Sequence, residues 1–424
     1  MIQPTLHKLS NGIPVIIDYL PYSESLTFGV YIKSGARNER EECEFGISHL
    51  LEHMALKGTK KRHYREITES VENVGGNINA YTTSAITSYH ATVPCAHREL
   101  IIDIISDIVI NPTFPAEEFE LEKQVVIQEL KSYEDYPESV IYNRMCDAVF
   151  RGGLRHDIGG TIDSVRGISR DQMADFYKKH YSAKNSVIVI SGGGIDNADE
   201  ILAEIEKYFG TWGAKDVPDY VQSDYVNALS HTKRGDLSHT YFNIVWRARP
   251  SVHRNDSLAQ SMTLRVLGIG FGSRLFQEVR EKQGLVYVIR AAAMTFEDIG
   301  VAIIESQTER AKIDDAIRAV ANVIRDVKDG VRPITEIELT RAREMAKGGL
   351  LMGLDSSFNR TDYFAARYLH YGELDDIAEN IRALDAVTLD DVNAAACELF
   401  KTAPSVITLG VEHELPLDVW QKLF

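Results

Sequence analysis

Two kinds of hydrophobic pattern alternate along the chain. Short runs rich in β-branched and aromatic residues, Leu26 to Ile32, Ser186 to Ile190 and Tyr241 to Trp246, have the composition of strands. Longer stretches such as Glu99 to Ile110 and Ile337 to Gly353 have the length and composition of helices. Strands interleaved with long helices predict mixed α/β layers. Near the start, residues His7 to Ile17 have a hairpin-like pattern. Further on, Gly75-Gly76 opens a loop, and the β-rich run that follows it through Thr92 reads as a strand.

The pattern also repeats. Glu118-Phe119-Glu120-Leu121 is echoed by Glu336-Ile337-Glu338-Leu339 at an offset of 218, and each copy follows a proline at the head of a long helical stretch. Between the copies, residues 214–235 are polar and poorly periodic, the pattern of a linker. With 424 residues, 44% of them hydrophobic, the chain exceeds one ordinary core. The expectation is an α+β protein of two similar sheet-and-helix halves arising by duplication, residues 1–213 and 236–424 joined by that linker.

Chemistry enters at His49-Leu50-Leu51-Glu52-His53. Positions i and i+4 of a helix lie one above the other, so both imidazoles can point a ring nitrogen at one ion. Glu52 between them is placed for a base rather than a third ligand, the inverted form of the zinc-hydrolase helix signature, which points to metal-assisted amide hydrolysis. Ser48 reads as the helix cap, Leu50, Leu51, Met54 and Leu56 as its packing, and Lys57-Gly58 as its stop. These flanks favour a metal helix over two core histidines that merely hydrogen-bond.

A catalytic zinc takes three protein ligands, so one more must come from elsewhere. The stretch Pro115 to Leu130 starts with a helix-favouring proline and an acidic first turn. Glu122 and Glu129 stand two turns apart on one face, with Val125 and Val126 between them as an expected buried lining. Taken alone, the two acids read as a solvated face, because Glu117, Glu118 and Glu120 share the helix.

These residues resemble the M16 (pitrilysin-type) metallopeptidases, in particular the short two-domain members similar to the catalytic subunit of the mitochondrial processing peptidase and its bacterial relatives. That family carries a glutamate ligand some 75 residues beyond the inverted motif, within a Glu-x6-Glu pair, and here Glu129 falls 76 residues after His53. The resemblance implies one Zn2+ per chain held by His49, His53 and Glu129, with Glu52 as general base and Glu122 orienting a ligand histidine. It implies a clamshell of two halves and hydrolysis of peptides or unfolded protein bound in extended form. Residues Gly272 to Tyr287 look like the second family signature, whose Arg280 and Tyr287 would steady an oxyanion from the other half. Asn79 and Ala80 match positions that hold an extended peptide along an edge strand. In the second copy Lys347 and Thr340 stand where Glu129 and Glu122 stand in the first, so one half would hold metal and the other close over substrate.

Charge and cysteine usage narrow the setting. A formal net charge of −16 argues against non-specific nucleic-acid binding. The four scattered cysteines fit a reducing compartment, and no membrane-spanning run is evident. A bacterial cytoplasmic protein is expected, or an organellar one whose presequence has been removed; a homodimer is compatible with the sequence. Gly192-Gly193-Gly194 and Gly268-Ile269-Gly270-Phe271-Gly272 lack phosphate-cradle spacing and read as turns.

Overall fold

The computed structural model describes residues 3–411 and 416–424. In chain order its strands are β1 (Thr5–Lys8), β2 (Pro14–Tyr19), β3 (Ser25–Ile32), β4 (Asn77–Thr82), β5 (Thr87–Pro94), β6 (Phe150–Gly152), β7 (Ser186–Gly192), β8 (Ser223–Tyr225), β9 (Leu229–Lys233), β10 (His239–Ala248), β11 (Ile289–Thr295), β12 (Gly300–Glu309) and β13 (Ser405–Gly410). They form a sheet ordered β1-β2-β7-β3-β5-β4, a second ordered β11-β12-β10-β13-β9, and the small pair β6-β8. The expected helices are present at Arg98–Ile110 and Glu336–Gly353.

The two large sheets share one topology. Reading β2-β7-β3-β5-β4 against β9-β13-β10-β12-β11, the first pairing is parallel in each sheet and the rest are antiparallel. This is the signature of the repeat expected from Glu118 and Glu336, whose helices, Ala116–Tyr133 and Glu336–Gly353, are each 18 residues long. In the second copy Lys347 makes ion pairs with Glu344 and Asp385 at 2.6 and 2.9 Å.

Contacts divide the chain differently from a single cut at residues 214–235. The first unit comprises Met1–Ser132, His156–Val221 and Leu350–Ala378, and the second Tyr133–Arg155, Gln222–Gly349 and Glu379–Phe424. Two helices are therefore exchanged: Pro137–Val149 belongs to the second unit and Ser357–Tyr371 to the first. The stretch read as a linker is also not structureless, since β9 pairs in parallel with β13 from Leu229–Val406 to Lys233–Gly410. Backbone hydrogen bonds suffice for such an edge strand, whatever its polarity.

Each sheet buries one face under its own helices and the other under the exchanged helix. In the first unit Leu26, Phe28, Val30 and Ile32 of β3 join Leu50, Leu51, Ile101, Ile105 and Ile108 in one apolar core. The opposite face of the same sheet carries buried polar and charged groups. There Thr27 bonds Ser357 at 2.8 Å, His90 stacks on Phe358 at 4.6 Å, and Arg360 makes a bidentate pair with Asp18 at 2.6 and 2.7 Å. In the second unit the exchanged helix instead brings Val140, Ile141, Met145 and Val149 against Val245, Ile303 and Ile407.

The motif helix spans Ile47–Ala55 and buries Ile47, Leu50, Leu51 and Met54. Its cap is Gly46 rather than Ser48. Gly46 has φ +90, and a Cβ there would meet the Gly159 carbonyl oxygen at 2.3 Å, so only glycine fits. Ser48 lies inside the first turn, where its N–H and that of Gly46 both donate to the buried Glu39 at 2.9 Å. The run after Gly76 is two strands, β4 and β5, turned at Thr83–Ile86, and β4 forms one edge of the first sheet. No described helix is long and apolar enough to cross a membrane.

Asp18 is fully buried, so removing its partner strands a charge away from water. Arg360→Met should lower stability by about 3–5 kcal/mol in urea unfolding. Asp18→Asn combined with Arg360→Met should recover part of that loss.

Candidate metal centre

His49 and His53 project from one face of the motif helix as their i, i+4 spacing requires, with Nε2 atoms 3.2 Å apart. Glu129, near the end of the Ala116–Tyr133 helix, brings one carboxylate oxygen within 3.8 Å of each Nε2. Among the described residues this is the one grouping of three metal-ligating side chains. Four ligands at zinc bond lengths of about 2.0–2.1 Å sit about 3.3 Å from one another in a tetrahedron. Three donors spaced 3.2, 3.8 and 3.8 Å fit such a cation with little movement.

The residues behind the donors fix their direction. Glu122 is buried, not solvated, and one of its oxygens meets His53 Nδ1 at 3.0 Å. With Nδ1 donating to Glu122, Nε2 presents its lone pair to the shared focus. The other Glu122 oxygen takes Lys57 Nζ at 2.7 Å, so the residue read only as a helix stop anchors this carboxylate. Val126 is buried as expected, but Val125 is 49% exposed, because the buried face of this helix runs through Phe119, Glu122, Val126 and Ile127. Nδ1 of His49 is buried without a hydrogen-bond partner.

Glu52 lies beside the histidines, only 7% exposed, and its Oε2 accepts a hydrogen bond from the Thr82 hydroxyl at 2.9 Å. Burial lifts its pKa above the ordinary carboxylate range, against the opposing influence of His53 and Thr82. Burial and the neighbouring His53 push His49 down to about 4. For His53 burial works the other way from its neighbours, and the hydrogen bond to Glu122 with the charges of Glu52, Glu122 and Glu129 raises it. Glu122 resists its burial through His53 and Lys57 and stays below the usual range. Three carboxylates around two imidazoles thus leave an excess of negative charge that a divalent cation would balance.

The remaining expected site residues occupy two other places. Asn79 and Ala80 lie on the edge strand β4, where Ala80 N–H donates to Asn79 Oδ1 at 2.9 Å. Arg280 and Tyr287 belong to the second unit and lie close to one another. Arg280 lies within a π-helical turn, Phe276–Glu281, with its guanidinium 4.5 Å from the Phe276 ring and 5.3 Å from that of Tyr287. Tyr287 is 73% exposed, so it is a surface phenol and not a packed strand residue. Sequence reasoning missed Glu39 and Thr82 as partners of the motif helix, since no local spacing links them to it, and it read Lys57 only as part of the helix stop.

Comparison with known proteins adds to this geometry. A family model described as "Insulinase (Peptidase family M16)" matches residues 14–161, and one described as "Peptidase M16 inactive domain" matches 167–346. An "Uncharacterized zinc protease YmxG" from Bacillus subtilis is 30% identical over 413 residues, covering 97% of this chain and 99% of the relative. A similarly described zinc protease from Mycobacterium leprae is 30% identical over 414 residues, covering 95% and 90%. Among solved structures, a protease from Helicobacter pylori has the same fold, with TM-score 0.89 at 22% identity over 97% of this chain and all of the other.

Glu122→Gln should weaken divalent-metal binding by about 10–100-fold in chelator competition, with the far-UV circular dichroism unchanged. Wild-type affinity in that variant would mean that the carboxylate does not orient His53.

Proposed function

We propose that this chain, which belongs to the M16 peptidase family, is a zinc metalloendopeptidase that cuts peptides held in extended form. The family match and relatives named zinc proteases make it a zinc protease; the residue roles and the form of the substrate are our reading. The observation that carries it is the convergence of His49, His53 and Glu129 on one point with Glu52 alongside. The spacing of the glycine clusters at 192–194 and 268–272 and a net charge of −16 argue against nucleotide and nucleic-acid chemistry.

In this reading His49, His53 and Glu129 hold one Zn2+ per chain, and Glu122 with Lys57 keeps His53 aimed. A zinc ion so held supplies Lewis acidity for the scissile carbonyl and for the attacking water. Glu52 takes the proton that the water gives up and returns it to the departing amine, a task suited to a carboxyl whose pKa burial has raised. Among the described residues Glu52 Oε1 accepts no hydrogen bond, so one oxygen is fixed while the other is open to a proton. Arg280 and Tyr287 would donate to the developing oxyanion, which suits their exposure and their mutual packing.

The substrate reading rests on β4. Its inner side pairs with β5 and its outer side is a sheet edge, so a peptide can join as a further strand along Asn79 and Ala80. Such binding selects for unfolded or short chains, because a folded substrate offers no free strand. A homodimer is compatible with this scheme, and the site residues named here all come from one chain.

Cleavage of a quenched peptide should be lost with a chelator and restored by zinc. Glu52→Gln should lower turnover by about 10²–10⁴-fold while one zinc per chain is retained; parallel loss of zinc would assign Glu52 a ligand role instead. Tyr287→Phe should lower kcat about tenfold or more with KM little changed. An unaltered kcat would remove Tyr287 from the reaction.

A further inference from the structure

We propose that Thr82 is a positioning residue for the base, acting through Glu52, and that it ties the strand receiving the peptide to the group that moves the proton. The inference rests on the peptidase reading above, and in particular on Glu52 as base. Its starting point is one bond, from Thr82 Oγ1 to Glu52 Oε2 at 2.9 Å, which bridges β4 and the motif helix.

Glu52 alone is poorly determined. A glutamate side chain has three rotatable bonds, and burial by apolar neighbours does not select among carboxylate orientations. Among the described residues the Thr82 hydroxyl is the one hydrogen-bond donor to that carboxylate. It therefore decides which oxygen is occupied and which is left open. A hydroxyl facing a carboxylate must donate, so the bond has a fixed sense.

Thr82 can serve as a reference point because its own backbone is held on several sides. It pairs with Thr87 where the β4–β5 hairpin closes. The turn just beyond it is tied by Thr83 N–H to Ile86 O at 2.8 Å and by Ile86 N–H to Thr83 Oγ1 at 2.9 Å. It is also clamped from outside by Ala36 and Arg37, whose N–H groups donate to Thr83 and Ser84 carbonyls at 3.2 and 2.8 Å. Gly35 makes that approach feasible, since a Cβ there would meet Thr83 O at 2.3 Å. On the opposite face of β4 the neighbouring Tyr81 bonds Asp362.

The consequence is a matter of register. A peptide that pairs with β4 takes its position along the strand from the β4 backbone, and Thr82 gives Glu52 its position from the same backbone. Scissile bond and base then share one frame, the condition for a near-attack arrangement. Without the hydroxyl the peptide binds as before, and the base wanders among orientations.

Thr82→Val keeps a β-branched residue of similar size on the strand, and Thr82→Ser keeps the hydroxyl. On a quenched peptide, Thr82→Val should lower kcat roughly ten- to hundredfold with KM within about twofold, and Thr82→Ser should stay within about threefold of wild type. Zinc content and thermal midpoint should match wild type in both variants. Added to Glu52→Gln, Thr82→Val should cause no further loss, because both act through one group. Wild-type kcat in Thr82→Val, equal losses in Val and Ser, a loss confined to KM or to zinc content, or a further loss in the Glu52→Gln background would each overturn the proposal. Zinc-loaded wild-type protein that cleaves no peptide would instead bring down the peptidase reading itself, and this inference with it.

Discussion

Three electron-rich atoms held within 4 Å of one another repel, and much of the first unit is arranged so that they stay together. The Nε2 atoms of His49 and His53 and an oxygen of Glu129 come from two helices, and neither helix could hold the arrangement by itself. The motif helix supplies its pair through backbone periodicity, at no conformational cost beyond forming the helix. It is fixed in turn by apolar packing of Leu50, Leu51 and Met54 and by Glu39, which takes two N–H groups of the opening turn in a setting that pushes its own pKa up to about 8. Glu129 arrives from a helix anchored through Phe119, Val126 and Ile127, and Glu122 on that same helix reaches back to His53. One helix therefore both contributes a donor and aims another.

The duplicated halves solve the same packing problem with different chemistry. Each five-strand core is layered between its own helices and one helix exchanged from the other end of the chain. In the second unit that layer is apolar, with Val140, Ile141 and Met145 against Val245 and Ile407. In the first it is a polar mosaic of Thr27, Ser357, His90, Asp18 and Arg360. A buried ion pair adds little net stability over an apolar contact, but it tolerates few alternative placements of the helix that carries it. The layer reaches β5 and β4 as well, through His90 against Phe358 and Tyr81 bonded to Asp362, and β4 is the strand that carries Asn79, Ala80 and Thr82.

Legibility in the sequence followed the range of the interaction. His49, Glu52 and His53 were readable because helical periodicity sets their spacing, and the strands and long helices were readable from runs of like residues. Glu129 could be assigned only by family resemblance, because nothing local ties it to a motif 76 residues earlier. Glu122 taken alone reads as solvated like its acidic neighbours; His53 on the motif helix and Lys57 just beyond its end are the partners it has in burial. The segment 214–235 looked like a linker because β9 is an edge strand held by backbone bonds, which leave no hydrophobic trace. Ser48 looked like a cap because the true arrangement depends on Gly46 in a left-handed conformation and a carboxylate from Glu39. The exchange of helices had no sequence signal at all, since an amphipathic face does not record which sheet it will cover.

That exchange also bears on the order in which the protein can mature during synthesis. The strands of the first sheet are all present once Gly192 has been made, yet the helix that covers one of its faces begins at Ser357. A nascent chain must therefore carry Asp18 without Arg360, and an uncovered sheet face, through the synthesis of well over a hundred further residues. Until the Ser357–Tyr371 helix has been made, the first unit is an unfinished sandwich, with one sheet face bare and Asp18 without its cation.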